Sequence, residues 1–227
     1  MHYLIAVISI LLCGLVAYIT LDKEKAKKIC FLRPHNGKDE TTSKEIKRPL
    51  YFSLTISLLV LSVVIAVWLT THISDVLNLT KMSVALVCLT GAACNDYREH
   101  RIPNVFPLIL AITGISSLII GYFTNQAGAT SYIFSCLIAT VGVALCLTLA
   151  SVLTKHGIGF GDIKLLSALA LTGGVYTICG TLFFAMTLCA IVAVVLLIMK
   201  KKTIKESLPF GPFIYFGFCI TVLASIY

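Results

Sequence analysis

Charged residues are scarce in this sequence, and acidic residues are the scarcest. Of its 227 residues, 12% are charged and only 10 are Asp or Glu, whereas 58% are hydrophobic. A soluble domain of this size needs a far more polar surface. The composition therefore excludes an ordinary water-soluble enzyme and indicates a protein that lies mostly in lipid.

Paired cysteines and the common nucleophile and zinc motifs are also missing. The nine cysteines include no C-x-x-C pair, so we expect neither a disulfide framework nor a tetrahedral zinc site. The sequence contains no H-E-x-x-H and no G-x-S-x-G. We therefore predict no metal ion and no other cofactor.

What the chain does have is a series of long apolar runs. About 20 helical residues are needed to cross the hydrocarbon, and a helix satisfies its own backbone there. The runs thus predict an all-α, polytopic integral membrane helix bundle with about eight transmembrane helices. The predicted spans are roughly 2–21, 50–71, 82–95, 105–123, 131–153, 163–180, 182–199 and 209–226. The boundary between the sixth and seventh spans is placed near Gly173–Gly174 or at Gly180.

The basic residues fall almost entirely on one side of these spans. Seventeen of the 18 Lys and Arg residues lie in the loops 22–48, 96–104, 154–164 and 200–208. The positive-inside rule assigns those loops to the cytoplasm and leaves only Lys81 in an outer loop. The net charge of +8 is therefore read as membrane orientation and not as nucleic-acid binding. Anionic lipid headgroups are the expected partners of the basic loop.

Two of the few acidic residues stand at predicted membrane edges. Asp96 ends the third span and Asp162 begins the sixth, both on the cytoplasmic side. A lone aspartate at such an edge is usually an interfacial charge paired with a nearby Lys or Arg. Two carboxyl groups at one depth can instead share a proton. One then takes a proton from attacking water while the other polarises the peptide carbonyl, as in an aspartic peptidase.

Glycines alternate just before the second aspartate, at Gly157, Gly159 and Gly161. Small-residue helix-packing motifs repeat every four residues, so a spacing of two does not suit them. We interpret the stretch as a loop whose backbone approaches a partner helix or an extended substrate closely.

Three motifs give the chain a specific resemblance. Gly159–Asp162 is a G-x-G-D sequence that continues as Ile163-Lys164-Leu165-Leu166. Asp96 is followed by a basic stretch and Ile102-Pro103-Asn104, and Leu-Pro-Phe-Gly-Pro-Phe at 208–213 opens the last span. In this order, over roughly residues 82–227, the motifs resemble those of the type IV prepilin peptidase family. We accordingly divide the chain into an N-terminal part, 1–81, with two spans and the basic loop 22–48, and a peptidase core, 82–227.

The resemblance implies that Asp96 and Asp162 are catalytic aspartates and that the three glycines shape an active-site loop. The implied substrates are prepilins or pseudopilins, cut after a short basic leader at the cytoplasmic face of the bacterial inner membrane. Members with methyltransferase activity carry two C-x-x-C pairs in the first cytoplasmic loop. Here that loop holds only Cys30, so we expect a short form that does not methylate.

Three further residues lie close to the two aspartates in the sequence. Two of them have two interpretations each, and the third has a structural interpretation. Lys164 either favours ionisation of a nearby carboxyl group or is a positive-inside anchor. Pro103 fits the first turn of the fourth span. Asn104 either bonds the loop that carries Asp96 or caps the helix, and capping is preferred.

Two other functions compete with this one. A presenilin or signal-peptide-peptidase type protease also has G-x-G-D, but its first aspartate typically follows a tyrosine, whereas Asp96 precedes Tyr97. A non-enzymatic membrane component of a secretion or pilus system would be expected to place polar residues near the bilayer midplane, where this sequence has few.

Overall fold

The structure is a computed structural model that describes residues 57–58, 60–71, 73, 75–124, 128–154, 159–199 and 209–224. The predicted first span, the basic loop 22–48 and Gly157 lie outside these residues. All regular structure in the described part is helical, which confirms the all-α class there. The helices are α1 (Val60–Thr71), α2 (Val76–Glu99), α3 (Val105–Phe123), α4 (Ala129–Leu153), α5 (Phe160–Ile198) and α6 (Gly211–Ala224).

Four of these helices, α2 to α5, are long and apolar enough to cross a membrane, and α1 and α6 are shorter apolar helices. The predicted count of about eight spans is not confirmed by the described residues. The predicted boundaries of the fourth and fifth spans agree closely with α3 and α4.

The third span was predicted too short, because α2 begins at Val76 and not near residue 82. The side chain of Asp75 caps it by accepting the N–H of Leu77 at 3.2 Å. Lys81 is therefore not an outer-loop residue, as the charge pattern had suggested. It lies within α2 and is only 3% exposed.

The helix α5 is broken at Gly174, which has φ 76° and ψ −176°. This conformation is open to glycine and strained for other residues. Of the two predicted boundaries between the sixth and seventh spans, the one near Gly173–Gly174 is confirmed. Gly180 lies inside the second half of α5.

The contacts of α6 show that the chain reverses at this break. Gly211 at the start of α6 lies against Asp96, and further along the helix Gly217 meets Ala185 and Thr221 meets Gly180. Contacts along α6 thus run backwards through the second half of α5, so the two are antiparallel. The first half of α5 begins beside Asp96, as described below, and leads away from it together with α6. The two halves of α5 are consequently antiparallel to each other.

The core lies where α2, the first half of α5 and α6 meet. Leu86 and Leu89 of α2, Leu166 of α5, and Tyr215 and Phe218 of α6 are all 1% exposed or less. In contrast, α3, α4 and the second half of α5 direct many large apolar side chains outward. Such a surface suits lipid and not water. The bundle thus has α2 at its centre. The C-terminal end of α2 and the N-terminal ends of α5 and α6 lie together at one end of the bundle.

Candidate active site

The end of α2 places Asp96 inside the bundle. Asp96 lies in the last turn of the helix and is only 7% exposed. The helix is closed by His100, which has a left-handed conformation with φ 50° and donates its N–H to the Asp96 carbonyl at 2.9 Å. The helix ends three residues after Asp96, so the Asp96 side chain lies next to the loop that follows α2.

The carboxyl group of Asp96 is held by the start of α6. The Gly211 N–H donates to its Oδ2 at 2.6 Å. The first N–H groups of a helix have no partner within the helix and bind anions readily. A Cβ atom at residue 211 would stand 2.8 Å from Asp96 Cβ and 3.0 Å from Oδ2. Only glycine fits this approach.

Asp162 stands in the first turn of α5. Gly159 caps the helix in an extended conformation, with φ −68° and ψ 137°, and its carbonyl accepts the Asp162 N–H at 3.1 Å. The Asp162 carboxyl group lies close to the Gly159 backbone, since a Cβ atom at residue 159 would stand 3.2 Å from Asp162 Oδ2. Asp162 Oδ1 is buried and has no hydrogen-bond partner among the described residues. A buried carboxyl oxygen without a partner is unusual in a folded protein, and a catalytic role is one explanation for it.

The structure brings the two aspartates together although 66 positions separate them in the sequence. Gly161, beside Asp162, lies against Ile102 in the loop that follows Asp96, and both aspartates stand at the end of the bundle where α2 ends and α5 and α6 begin. Carboxyl groups so placed do not both ionise easily and share one proton. The geometry can therefore supply a proton acceptor and a proton donor side by side.

Lys164 and Asn104, predicted separately, are partners. Nζ of Lys164 donates to Oδ1 of Asn104 at 3.4 Å, on the exposed side of the site. Asn104 precedes α3 but makes no side-chain capping hydrogen bond, so the preferred capping interpretation is wrong. Its side-chain oxygen instead joins the loop after α2 to the start of α5. Pro103 lies two residues before α3, so its predicted place in the first turn of that helix is wrong. Its carbonyl accepts the Phe106 N–H at 3.3 Å.

The glycine stretch is only partly a loop. Gly159 precedes α5, but Gly161 is inside its first turn, so the loop interpretation is wrong for Gly161. A Cβ atom at residue 161 would stand 3.1 Å from Ile102 Cβ. The absence of a side chain thus lets the start of α5 lie directly on the loop that follows Asp96. Gly157 stays a prediction because it lies outside the described residues.

Sequence reasoning missed Gly211 as a site residue. The Leu-Pro-Phe-Gly-Pro-Phe motif was recognised, but its prolines were read only as helix-start residues. Pro212 does lie in the first turn of α6. The available signal was a glycine between two prolines at a span edge on the same predicted side as both aspartates.

In the described residues no group of three or more His, Cys, Asp or Glu side chains is arranged to hold a metal ion. The prediction that no metal or cofactor takes part is not tested by this observation.

Comparison with known proteins supports the resemblance. Residues 83–194 match the family model described as the type IV leader peptidase family. A prepilin leader peptidase/N-methyltransferase from Pseudomonas putida is 38% identical over 69 residues, which are 30% of this chain and 24% of that protein. The match thus spans about a quarter of the relative's length. No solved structure matches the chain significantly. Over residues 83–194, just under half of its length, the chain is similar to the type IV leader peptidase family.

Proposed function

We propose that this protein is a membrane aspartic endopeptidase that removes the short basic leader from type IV prepilins or pseudopilins. One observation carries the proposal. Asp96 and Asp162 stand at the same end of a bundle of apolar helices, and Asp162 keeps a buried carboxyl oxygen that no described residue binds. The family and the prepilin leader peptidase relative support the substrate class.

The proposed mechanism assigns a different role to each aspartate. The Gly211 N–H favours the charged form of Asp96, so we assign the shared proton to Asp162. Asp96 takes a proton from water as the water oxygen attacks the scissile carbonyl, and Asp162 gives its proton to the carbonyl oxygen. Asp96 then returns a proton to the leaving amine as the C–N bond breaks, and Asp162 recovers its proton when the carbonyl re-forms.

The surrounding backbone has a supporting role. Gly159 and Gly161 allow α5 to begin close to the loop after Asp96, and the Lys164–Asn104 hydrogen bond joins the same two segments. We propose that this exposed side is where the substrate backbone enters. The site is proposed to face the cytoplasm of a bacterial inner membrane, because the basic loops predict that side. N-methylation is not part of the proposal, since the predicted loop 22–48 contains one cysteine.

The test is cleavage of a co-expressed prepilin in membranes, followed as a shift to a smaller product on a gel. We expect the wild-type protein to shorten the substrate, and Asp96→Asn and Asp162→Asn each to reduce the rate by about three orders of magnitude or more. Asparagine has nearly the same size as aspartate but cannot exchange the proton.

Two controls accompany this test. Immunodetection in the membrane fraction establishes that the variants are inserted equally. Glu99→Gln, at an exposed acidic residue near the site, is the matched control and should keep the wild-type rate.

Two results count against the proposal. Cleavage by both asparagine variants at the wild-type rate would remove the aspartate pair from the mechanism. Failure of the wild-type protein to cut any of a panel of prepilins and pseudopilins would remove the substrate class.

A further inference from the structure

Three polar groups meet at the break in α5, far along the helices from the two aspartates. Nζ of Lys81 donates to the Tyr132 hydroxyl at 3.2 Å and lies 4.5 Å from the centroid of the Tyr132 ring. The Tyr132 hydroxyl donates in turn to the Thr172 carbonyl at 3.0 Å. This series of contacts, the Lys81–Tyr132–Thr172 link, connects α2, α4 and α5 inside the bundle.

The link serves backbone groups that the break leaves unpaired. The Thr172 carbonyl belongs to the last turn before Gly174, and the Val175 N–H belongs to the first turn after it. Such terminal groups lack helical partners, and in lipid no water replaces them. The Tyr132 hydroxyl binds the carbonyl, and Ser135 Oγ accepts the Val175 N–H at 3.4 Å. Side chains of α4 therefore stabilise both sides of the break.

The Tyr132–Ser135 pair alone would satisfy these backbone groups, so the buried Lys81 needs its own explanation. Burying an amino group to 3% exposure in a membrane helix costs free energy. Such residues are rare and usually have a function. Its hydroxyl partner and the face of an aromatic ring offset part of that cost. What Lys81 adds is a connection from the break to α2, the helix that carries Asp96.

The link and the aspartate pair lie at opposite ends of the same two helices. Lys81 precedes Asp96 on α2 by 15 residues, and Thr172 follows Asp162 on α5 by 10 residues. At the usual rise these are separations of roughly 22 Å and 15 Å. The register between α2 and the first half of α5 is thus fixed at both ends, by the site at one end and by the link at the other.

We propose that Lys81 is a positioning residue that acts through Tyr132 to hold the first half of α5 in register with α2, and so keeps Asp162 opposite Asp96. The proposal rests on the peptidase function proposed above. A misplacement of about 1 Å at reacting groups costs on the order of a hundredfold in rate. Because Lys81 lies away from the substrate, its loss changes turnover and leaves substrate affinity nearly unaltered.

The kinetic test compares Lys81→Met, Tyr132→Phe and the double variant with wild type, per amount of membrane-inserted protein. We expect kcat to fall at least tenfold in each single variant, with KM within about twofold. The double variant should be little worse than Tyr132→Phe, because the two residues act in series. Lys81→Arg, which keeps the charge and donors, should recover part of the activity. Tyr122→Phe, at an exposed tyrosine on α3, is the matched control and should match wild type.

A second test does not depend on activity. Cysteines introduced at Asn104 and Lys164 should be joined by a short bifunctional thiol reagent, since Lys164 Nζ and Asn104 Oδ1 lie 3.4 Å apart on the exposed side of the site. The yield of the cross-linked peptide, measured by mass spectrometry, reports the register between the start of α5 and the loop after Asp96. We expect Lys81→Met and Tyr132→Phe to reduce that yield several-fold.

The outcomes separate the two proposals. Unchanged kcat and unchanged cross-link yield in both variants overturn the positioning role, and so does a rise in KM with kcat intact. If wild type cuts no prepilin, the peptidase function fails, and the cross-link yield alone then decides whether Lys81 sets the register. If Lys81→Met does not insert in the membrane, Tyr132→Phe, which keeps the ring and the lysine, gives the answer.

Discussion

At the scale of single residues, the site is built from backbone as much as from side chains. Asp96 is bound by the N–H of Gly211, a residue 115 positions later in the chain. A charge-assisted hydrogen bond of this kind orients the carboxyl group and fixes which oxygen faces the reacting centre. The same glycine allows the start of α6 to approach α2 at a distance that no side chain permits. Gly211 is thus both a ligand of Asp96 and a spacer.

The substitution Gly211→Ala tests this double role. A Cβ atom there would stand 2.8 Å from Asp96 Cβ, so Asp96 must move and its hydrogen bond must lengthen. We expect the rate of prepilin cleavage to fall at least tenfold, because a small displacement of a reacting group lowers the rate strongly. The measurement is the initial rate of cleavage in membranes with matched protein levels.

Gly142→Ala is the control for this experiment. Gly142 lies within α4, and a Cβ atom there would meet nothing within 4 Å. It should retain the wild-type rate. A Gly211→Ala variant as active as Gly142→Ala would show that the backbone contact to Asp96 is dispensable.

How far the site could be predicted differs from residue to residue. Asp96 and Asp162 were identified because acidic residues are rare in lipid and these two fall at the same predicted depth. Gly211 was missed because the partner of a backbone N–H depends on tertiary contacts that no local pattern encodes. Lys81 was placed in an outer loop because its charge outweighed its apolar surroundings. Lys81 is buried instead because its amino group contacts the hydroxyl and the ring of Tyr132, which lies 51 positions later in the sequence.

At the scale of elements, the break in α5 determines where Asp162 stands. A straight helix of 39 residues would be about 58 Å long, far longer than a bilayer is thick. The reversal at Gly174 converts it into two antiparallel segments, and the first, residues 160–173, starts at the site. The sequence predicted a break here from two adjacent glycines but did not distinguish it from Gly180. Both positions fit a hydrophobic run, and only the backbone conformation separates them.

Gly174→Ala should therefore destabilise the protein. The residue has φ 76° and ψ −176°, a conformation that costs a residue with a side chain about 1–3 kcal/mol. The strain comes from the backbone alone, because an added Cβ atom would stand 3.4 Å from Ser135 Oγ, an ordinary contact distance. We expect a lower unfolding temperature in detergent than for wild type.

The comparison variant is again Gly142→Ala, which replaces a glycine in an ordinary helical position. There alanine should stabilise the helix by about 0.5–1 kcal/mol. The two substitutions are chemically identical and are expected to act in opposite directions. Equal unfolding temperatures for the two variants would contradict the assignment of strain to Gly174.

At the scale of the whole molecule, the sequence segregates its basic residues between the predicted spans. Seventeen of 18 Lys and Arg residues belong to four segments predicted to face one side, and Asp96 and Asp162 belong to two of those segments. The exception, Lys81, is an interior residue and does not contradict the charge rule, which concerns loops. Composition thus predicted the helical class of the described residues, and the side on which the site lies stays a prediction. The N-terminal division at residues 1–81 stays a prediction, as do the predicted spans outside the described residues.

The orientation can be tested with single cysteines introduced at Glu99 and Gln126. Glu99 is exposed at the end of α2 beside the site, and Gln126 lies between α3 and α4, in the predicted outer segment. Because the basic loops should stay in the cytoplasm, a membrane-impermeant maleimide added to intact cells should label position 126 and not position 99. Permeabilisation should then expose position 99. Wild type, with its nine native cysteines, gives the background. Labelling of position 99 in intact cells would place the aspartate pair on the outer face, where a leader that stays in the cytoplasm does not reach it.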